Sequence, residues 1–324
     1  MYVNREPDHA ADLDPGVPPI PLSERASAFP GGLVNKVMAR VGSHREAVWI
    51  VERATCTSRC GGRVAEPGAV QATAVELAER RASGEPLQYV LGTWQFRMLE
   101  LTVDRRVLIP RPETEQVVEV ALSELARIAA GRRAGDGPIV CVDLGSGSGA
   151  IALSLAIEGG RARPDVPVEI WATDRSPDAL DVIRVNVAAL ALKDPAAASK
   201  VIPAQGVWFG ALPDRLDRQV DLVVSNPPYV SAEEYVDMDP SVREWEPVEA
   251  LVAQRGASGV AGMADIEAVV TGAERWLRPR GALVVEIAPA QAYGAIDAAR
   301  RAGFTRVGTA RDLAGRLRML VAGR

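Results

Sequence analysis

"IVCVDLGSGSGAIALSLA", residues 139–156, decides how the rest of the chain is to be read. Residues 139–144 are apolar apart from Asp143, glycines follow at 145, 147 and 149, and an apolar-rich helical stretch begins directly after them. A buried strand therefore enters a tight glycine loop, and the loop opens a helix whose first N–H groups have no partner of their own. The same alternation continues outward, with a helix over about 112–129 and strands at 168–174, 200–204, 220–225 and 282–287. Further helices are expected from 177, around 263–276 and near 290–302. Near-continuous apolar strands separated by helices predict an α/β fold with a mostly parallel, doubly wound sheet. The closing stretch "FTRVGTARDLAGRLRMLVAGR" (304–324) reads as two strands about a turn at Gly315, an antiparallel pair that brings the sheet to seven strands.

Upstream the pattern changes. Residues 1–20 carry four acids, one arginine and four prolines, the composition of a disordered tail. Residues 21–85 show apolar positions at three- and four-residue spacing, as in "EAVWIVERATC" and "AVQATAVELAERRASG", and predict a small helical domain. Residues 86–111 read as a linker with a β-hairpin, because "WQFRMLELTVDRRVLIP" alternates on both sides of Asp104-Arg105. The sheet domain then occupies 112–324.

With 324 residues, 48% of them hydrophobic and 24% charged, the chain can bury a sizeable core. A net charge of -5 gives no general pull toward nucleic acid, and residues 21–85 hold nine Lys/Arg against seven acids, too few for a phosphate-tracking face. No apolar run approaches the roughly 20 residues of a membrane span. Three cysteines and no secretory leader point to a reducing cytoplasm. Cys56 and Cys60 stand near His44, but zinc wants about four ligands and the chain has two histidines; two buried helix cysteines and no metal are expected.

In an open sheet of this kind ligands bind beyond the carboxyl ends of the strands. Three stretches lie there. The loop 143–150 alone leaves three readings open: a G-x-G-x-x-A dinucleotide fingerprint on Gly145, Gly147 and Ala150, a plain tight turn, or a methyl-donor loop. The last reading uses Asp143, two residues before G-x-G-x-G, a carboxylate suited to an ammonium group. Asp174 ends the next strand and can accept from two ribose hydroxyls; a helix N-cap is the alternative, and Ser176 fills that role better. The third is "VVSNPPYVS" (223–231), where Pro227 and Pro228 fix φ, remove two donors and leave Asn226 and the backbone carbonyls as a rigid set of acceptors beside Tyr229. Such a tip suits an amide or aromatic amine, a poor nucleophile that is activated chiefly by being positioned.

The Asn-Pro-Pro-Tyr tip after the fourth strand resembles that of amino-methyltransferases. "GEPLQYVLGTWQF" (84–96), "VLIPRPETE" (107–115) and "DLAGR" (312–316) narrow the resemblance to the peptide chain release factor glutamine methyltransferases, from about Glu46 to the C-terminus. The resemblance implies a Rossmann-like class I methyltransferase domain joined through a hairpin to a helical, substrate-recognising N-terminal domain. It also implies methylation, with S-adenosylmethionine, of the glutamine in the Gly-Gly-Gln motif of class 1 release factors. The donor would lie on Asp143, Gly145, Ser146, Gly147, Ser148, Gly149, Asp174, Trp208 and Asn226. The glutamine would lie on Asn226, Pro227, Pro228 and Tyr229, with Asn226 and Pro227 as the catalytic acceptors.

The chain departs from the family twice: Val207 stands where an Asp usually precedes Trp-Phe, and "RGASGVAGMADIE" (255–267) differs from the usual Gly- and Asp-rich form. Arg111, Glu113 and Thr114 leave two readings open: a donor- or substrate-site role, or a structural one in which Glu113 and Glu115 suit the positive end of the helix dipole and Arg111 bridges hairpin and helix. Two other classes remain compatible with the residues: a DNA or RNA amino-methyltransferase, and a binding module without chemistry.

Overall fold

The computed structural model describes residues 32–57, 66–133, 135–160 and 165–324. The expected tail at 1–20, and Cys60, lie outside them. The chain divides into two compact units, one of residues up to Trp94 together with Asp239–Trp245, the other of Gln95–Met238 and Glu246–Arg324.

The first unit contains α1 (Leu33–Val41), α2 (His44–Thr57), α3 (Pro67–Ala82), the short α4 (Leu87–Leu91) and, far along the chain, α10 (Pro240–Arg243). Val37, Val48, Ile50, Ala54, Ala74 and Ala78 are fully buried and supply its core. Arg81 of α3 donates to Glu46 of α2 at 2.7 and 3.0 Å, and the Trp49 and Trp94 rings meet edge to face at 6.2 Å. Cys56, expected to be buried, is exposed instead. It sits next to last in α2, where the apolar periodicity has already run out.

A two-stranded hairpin, β1 (Thr93–Phe96) and β2 (Leu99–Thr102), follows. Its turn is at Arg97-Met98, not at Asp104-Arg105 as the alternation suggested. Arg97 takes φ 52°, the left-handed conformation a tight hairpin needs, and its guanidinium is held by Glu158 at 2.6 and 2.7 Å. Asp104 instead makes a second turn, accepting from the Arg106 backbone and side chain.

The second unit is a seven-stranded sheet flanked by helices. In chain order it runs α5 (Pro112–Ala130), β3 (Ile139–Leu144), α6 (Ala150–Glu158), β4 (Val168–Asp174), α7 (Pro177–Lys193), α8 (Pro195–Ala198) and β5 (Val201–Gln205). There follow β6 (Val220–Ser225), α9 (Ala232–Val236), α11 (Ala264–Trp276), β7 (Leu277–Glu286), α12 (Ala292–Arg301), β8 (Arg306–Arg311) and β9 (Leu317–Gly323). The strand order is β5-β4-β3-β6-β7-β9-β8, parallel through β7, with β9 antiparallel to both its neighbours. This is the expected α/β class I methyltransferase architecture.

Every residue of β3 and β6 is buried, as continuous apolar runs require when both sheet faces are covered. Val142, Leu144, Val223, Leu283 and Val285 join α11 and α12 in one core layer. The alternate residues Cys141, Leu222 and Val224 face the opposite side.

Strand register does the rest. Leu144 pairs with Thr173 on one side and Ser225 on the other, so the residues that follow, Gly145, Asp174 and Asn226, emerge side by side from three adjacent strands. Because β3 leads to β4 on one side while the chain returns to β6 on the other, the crevice of a topological switch point opens at this spot.

Candidate active site

A cleft open to solvent lies over these strand ends, and every residue lining it belongs to the second unit. Gly145, Gly147, Asp174, Trp208, Asn226 and Pro228 form its walls, joined by Arg106–Leu108, Arg175, Val207, Pro247, Glu249 and Asp265.

The glycine loop has the conformation its sequence demands. Gly145, Gly147 and Gly149 have φ of 70, 57 and 85°, which L side chains rarely adopt, and a Cβ on Gly147 would meet nothing within 4 Å. The loop thus presents bare backbone to open space. Its serines turn away from the cleft: Ser146 donates to Asp143 Oδ2, and Ser148 is buried with its carbonyl accepting from Asn186.

Asp143 stands behind the loop. It also accepts from the Ala152 amide at 3.0 Å, while its Oδ1 is buried without a partner among the described residues. Burial, offset in part by the bonds from Ser146 and Ala152, pushes its carboxyl up to about 7. Asp174 accepts from the Gly147 amide at 3.0 Å and from the Ser176 amide at 2.9 Å, so its carboxylate is braced between the glycine loop and the start of α7. Ser176 is the N-cap of that helix, accepting from Ala179, which leaves Asp174 for the cleft. Trp208, itself at φ 47°, brings its ring to 3.6 Å from where a Cβ on Gly145 would stand.

The Asn-Pro-Pro-Tyr tip is buttressed from behind. Val230 donates to Leu251 O, Ala253 donates to Val230 O, and Gln291 Nε2 donates to Tyr229 O at 2.8 Å. Gly262, at φ 67°, lies so close to the Tyr229 carbonyl that no side chain fits there. The stretch 255–267 that departs from the family's usual form is therefore part of the tip's support.

Asn226 is tied through its nitrogen: Nδ2 donates to Thr114 Oγ1 at 3.2 Å, and Thr114 donates to Glu286 Oε2 at 2.8 Å. The amide is planar, so Oδ1 is the end left for the cleft, and it has no partner among the described residues. Tyr229 Oη lies 3.4 Å from Glu286 Oε1. Burial and the Glu286 carboxyl raise the Tyr229 phenol well above its ordinary range, so it stays protonated. Burial likewise raises Glu286 to about 7, against the hydrogen bonds from Thr114 and Tyr229 and the nearby Arg318.

Residues 138–239 match the methyltransferase small domain family model. A release factor glutamine methyltransferase of Gloeobacter violaceus is 36% identical over 281 residues, covering 85% of this chain and 89% of that protein. The chain belongs to the release factor glutamine methyltransferase family. Relatives of the same description from Salmonella typhimurium and Streptomyces coelicolor are 38% and 42% identical, over 75% and 67% of this chain and 77% and 67% of theirs.

The family's sequence stretches meet in space. Arg316 of "DLAGR" pairs with Glu113 of "RPETE" at 3.1 Å and with Asp312 at 2.7 Å. Arg111 does not bridge to the hairpin; it pairs at 2.6 Å with Glu246, whose other oxygen accepts from the Ile109 amide. Thr114 holds Asn226.

The cleft-lining residues Arg106, Glu249 and Asp265, and the buried Glu246 and Glu286, carry no local sequence signal. For Asp265 one hint existed: with Val207 at the family's usual Asp position, a carboxylate from elsewhere reaches the same cleft. Asp265 is half-buried, and burial raises its carboxyl while Arg175 lowers it.

The site fits S-adenosylmethionine. Bare backbone at Gly145 and Gly147, the Asp174 carboxylate at the cleft wall, the Trp208 ring and the acidic residues Glu249 and Asp265 suit a cationic molecule with a ribose and a flat base. Among the described residues no three His, Cys, Asp or Glu side chains cluster to hold a metal, and no helix is long and apolar enough to cross a membrane.

Proposed function

We propose that this enzyme methylates the side-chain nitrogen of the glutamine in the Gly-Gly-Gln motif of class 1 release factors. One observation carries the reading: Asn226 lines the donor cleft with its Nδ2 committed to Thr114, so that a carbonyl-type acceptor is offered at the point where the strand ends of the glycine loop and Asp174 meet.

S-adenosylmethionine supplies an electrophilic methyl group at its sulfonium. Gly145, Gly147, Asp174 and Trp208 hold it, with Asp143, Ser146, Ser148 and Gly149 shaping the loop from behind. The substrate amide donates its two N–H groups to Asn226 Oδ1 and to the Pro227 carbonyl. Its nitrogen lone pair, otherwise delocalised, is then aimed along the transfer axis.

Pro228 and Tyr229 close over the planar amide. As the new N–C bond forms, the S–CH3 bond of the sulfonium breaks and its electron pair stays on sulfur, leaving a neutral thioether; the nitrogen gains positive charge and becomes acidic, and one N–H proton passes to solvent. No strong base is needed, and a protonated Tyr229 is not one. Positioning supplies the catalysis, an effect worth roughly 7–11 kcal/mol in well-oriented reactions. The helical first unit grips the release factor away from the reacting amide in the cytoplasm, where the substrate is made.

The decisive experiment incubates the full chain with methyl-labelled S-adenosylmethionine and, separately, a class 1 release factor, its Gln→Ala variant in the Gly-Gly-Gln motif, and nucleic acid. Label is expected on the release factor alone. Label on nucleic acid and none on protein overturns the reading; calorimetry showing no heat with the donor would make the chain a module without chemistry.

A further inference from the structure

An asparagine amide looks nearly the same either way round, yet only one orientation of Asn226 can accept from a substrate N–H. Something in the fold must select it. Nδ2 of Asn226 donates to Thr114 Oγ1 at 3.2 Å, and the threonine hydroxyl has a single proton, which goes to Glu286 Oε2 at 2.8 Å. With that proton committed, Oγ1 can only accept from Asn226. A reversed amide would set Oδ1 against the lone pairs of Oγ1 in a buried place, where Thr114 is 4% and Glu286 1% exposed.

We propose that Thr114, oriented by the buried Glu286 carboxylate, is the positioning residue that fixes which way round the Asn226 amide faces the substrate. The inference rests on the reading of Asn226 as the acceptor for the glutamine amide. It assigns to Thr114 and Glu286 the task of delivering that acceptor from behind the cleft, whose lining includes Asn226 but neither of them.

The polarity of the chain of bonds at Thr114 depends on Oε2 of Glu286 accepting, which it does in the ionised carboxylate, where Oε1 also accepts from Tyr229 Oη, and in an acid whose proton sits on Oε1. The groups that face it are Thr114 and Glu113 from α5, Tyr229 from the tip and Arg318 from β9. Arg318 opposes the burial that favours the neutral acid, and Glu113 adds to it. A protonated Glu286 would turn one oxygen into a donor, and the bond made there would have to reverse.

The test compares Thr114→Val, which keeps the shape and removes the hydroxyl, with Thr114→Ser, which restores it. Three readouts are taken on the full chain: donor affinity by calorimetry, single-turnover rate with a release factor, and the side-chain amide resonances of protein labelled with ¹⁵N at its four asparagines. For Thr114→Val the donor affinity should stay near that of the native chain, the rate should fall about 100-fold, as misplacement of a reacting group can do, and the Asn226 resonance pair should move. Thr114→Ser should recover the rate and the native resonance position.

A Thr114→Val enzyme that transfers methyl at the native rate overturns the inference, as does a Thr114→Ser enzyme no better than the valine variant. If the native chain labels no release factor, the proposed function falls, and the resonances still decide the positioning role: an Asn226 signal unmoved by Thr114→Val overturns it.

Discussion

Glu286→Gln should make the protein more stable at pH 8 than at pH 5 relative to the native chain, and the size follows from burial. The carboxyl titrates near 4.5 when unfolded and about 7 in the fold, because burial disfavours its charge more than Thr114, Tyr229 and Arg318 restore it. A folded-state value raised above the unfolded one means that the folded protein holds the proton more tightly. The stability due to that proton is therefore complete below about pH 4.5 and is lost as pH rises through about 7. At 1.36 kcal/mol for each pH unit, the native chain gives up about 3 kcal/mol across this window.

Glutamine has no such proton to lose and retains an acceptor for Thr114. The difference in unfolding free energy between variant and native chain should thus grow by about 3 kcal/mol from pH 4.5 to pH 8, while the similarly raised Asp143 cancels because both proteins carry it. Urea unfolding followed by tryptophan fluorescence at half-unit pH steps measures this directly. Parallel stability curves for the two proteins would refute the reasoning and show that Glu286 titrates at an ordinary value in the fold.

Asp174→Ala should weaken S-adenosylmethionine binding by about 1–3 kcal/mol through lost charge-assisted hydrogen bonds, with a smaller effect on the rate at saturating donor; unchanged affinity by calorimetry would leave Asp174 as only the brace for Gly147 and Ser176. Asn226→Ala should collapse the single-turnover rate while the chain still binds donor, whereas Tyr229→Phe, which gives up only a 3.4 Å contact, should keep most activity and Tyr229→Ala should chiefly raise the release-factor KM; a fast Asn226→Ala enzyme would sink the mechanism. Arg111→Met should destabilise the fold by about 2–3 kcal/mol, since it strands the buried Glu246 carboxylate, with the partial exposure of Arg111 moderating the loss; an unchanged urea midpoint would show that the pair contributes nothing.

The sequence alone determined whatever depends on neighbours along the chain. Apolar runs at 139–144 and 220–225 must be buried strands, glycines at 145, 147 and 149 must bend a loop, Ser176 must cap its helix, and two prolines must stiffen the tip at 226–229. All four follow from local sterics and hydrogen-bonding capacity, and the structure has the strands, the bent loop and the cap. The rule that ligands sit beyond strand ends singles out Asp174 and Asn226, and both line the cleft.

The tertiary structure decided the rest. Alternation with a period of two continues through a turn unchanged, so it could not tell Arg97-Met98 from Asp104-Arg105 as the hairpin's tip. Residues 239–245 were grouped with the first unit only by packing across nearly 150 residues of chain. Thr114 meets Asn226 across 112 positions and Glu286 across 172, and Arg111 finds Glu246 across 135. A buried carboxylate chooses its partners by strand register and helix placement, and these are settled by how the whole sheet packs; no spacing within any one segment records them.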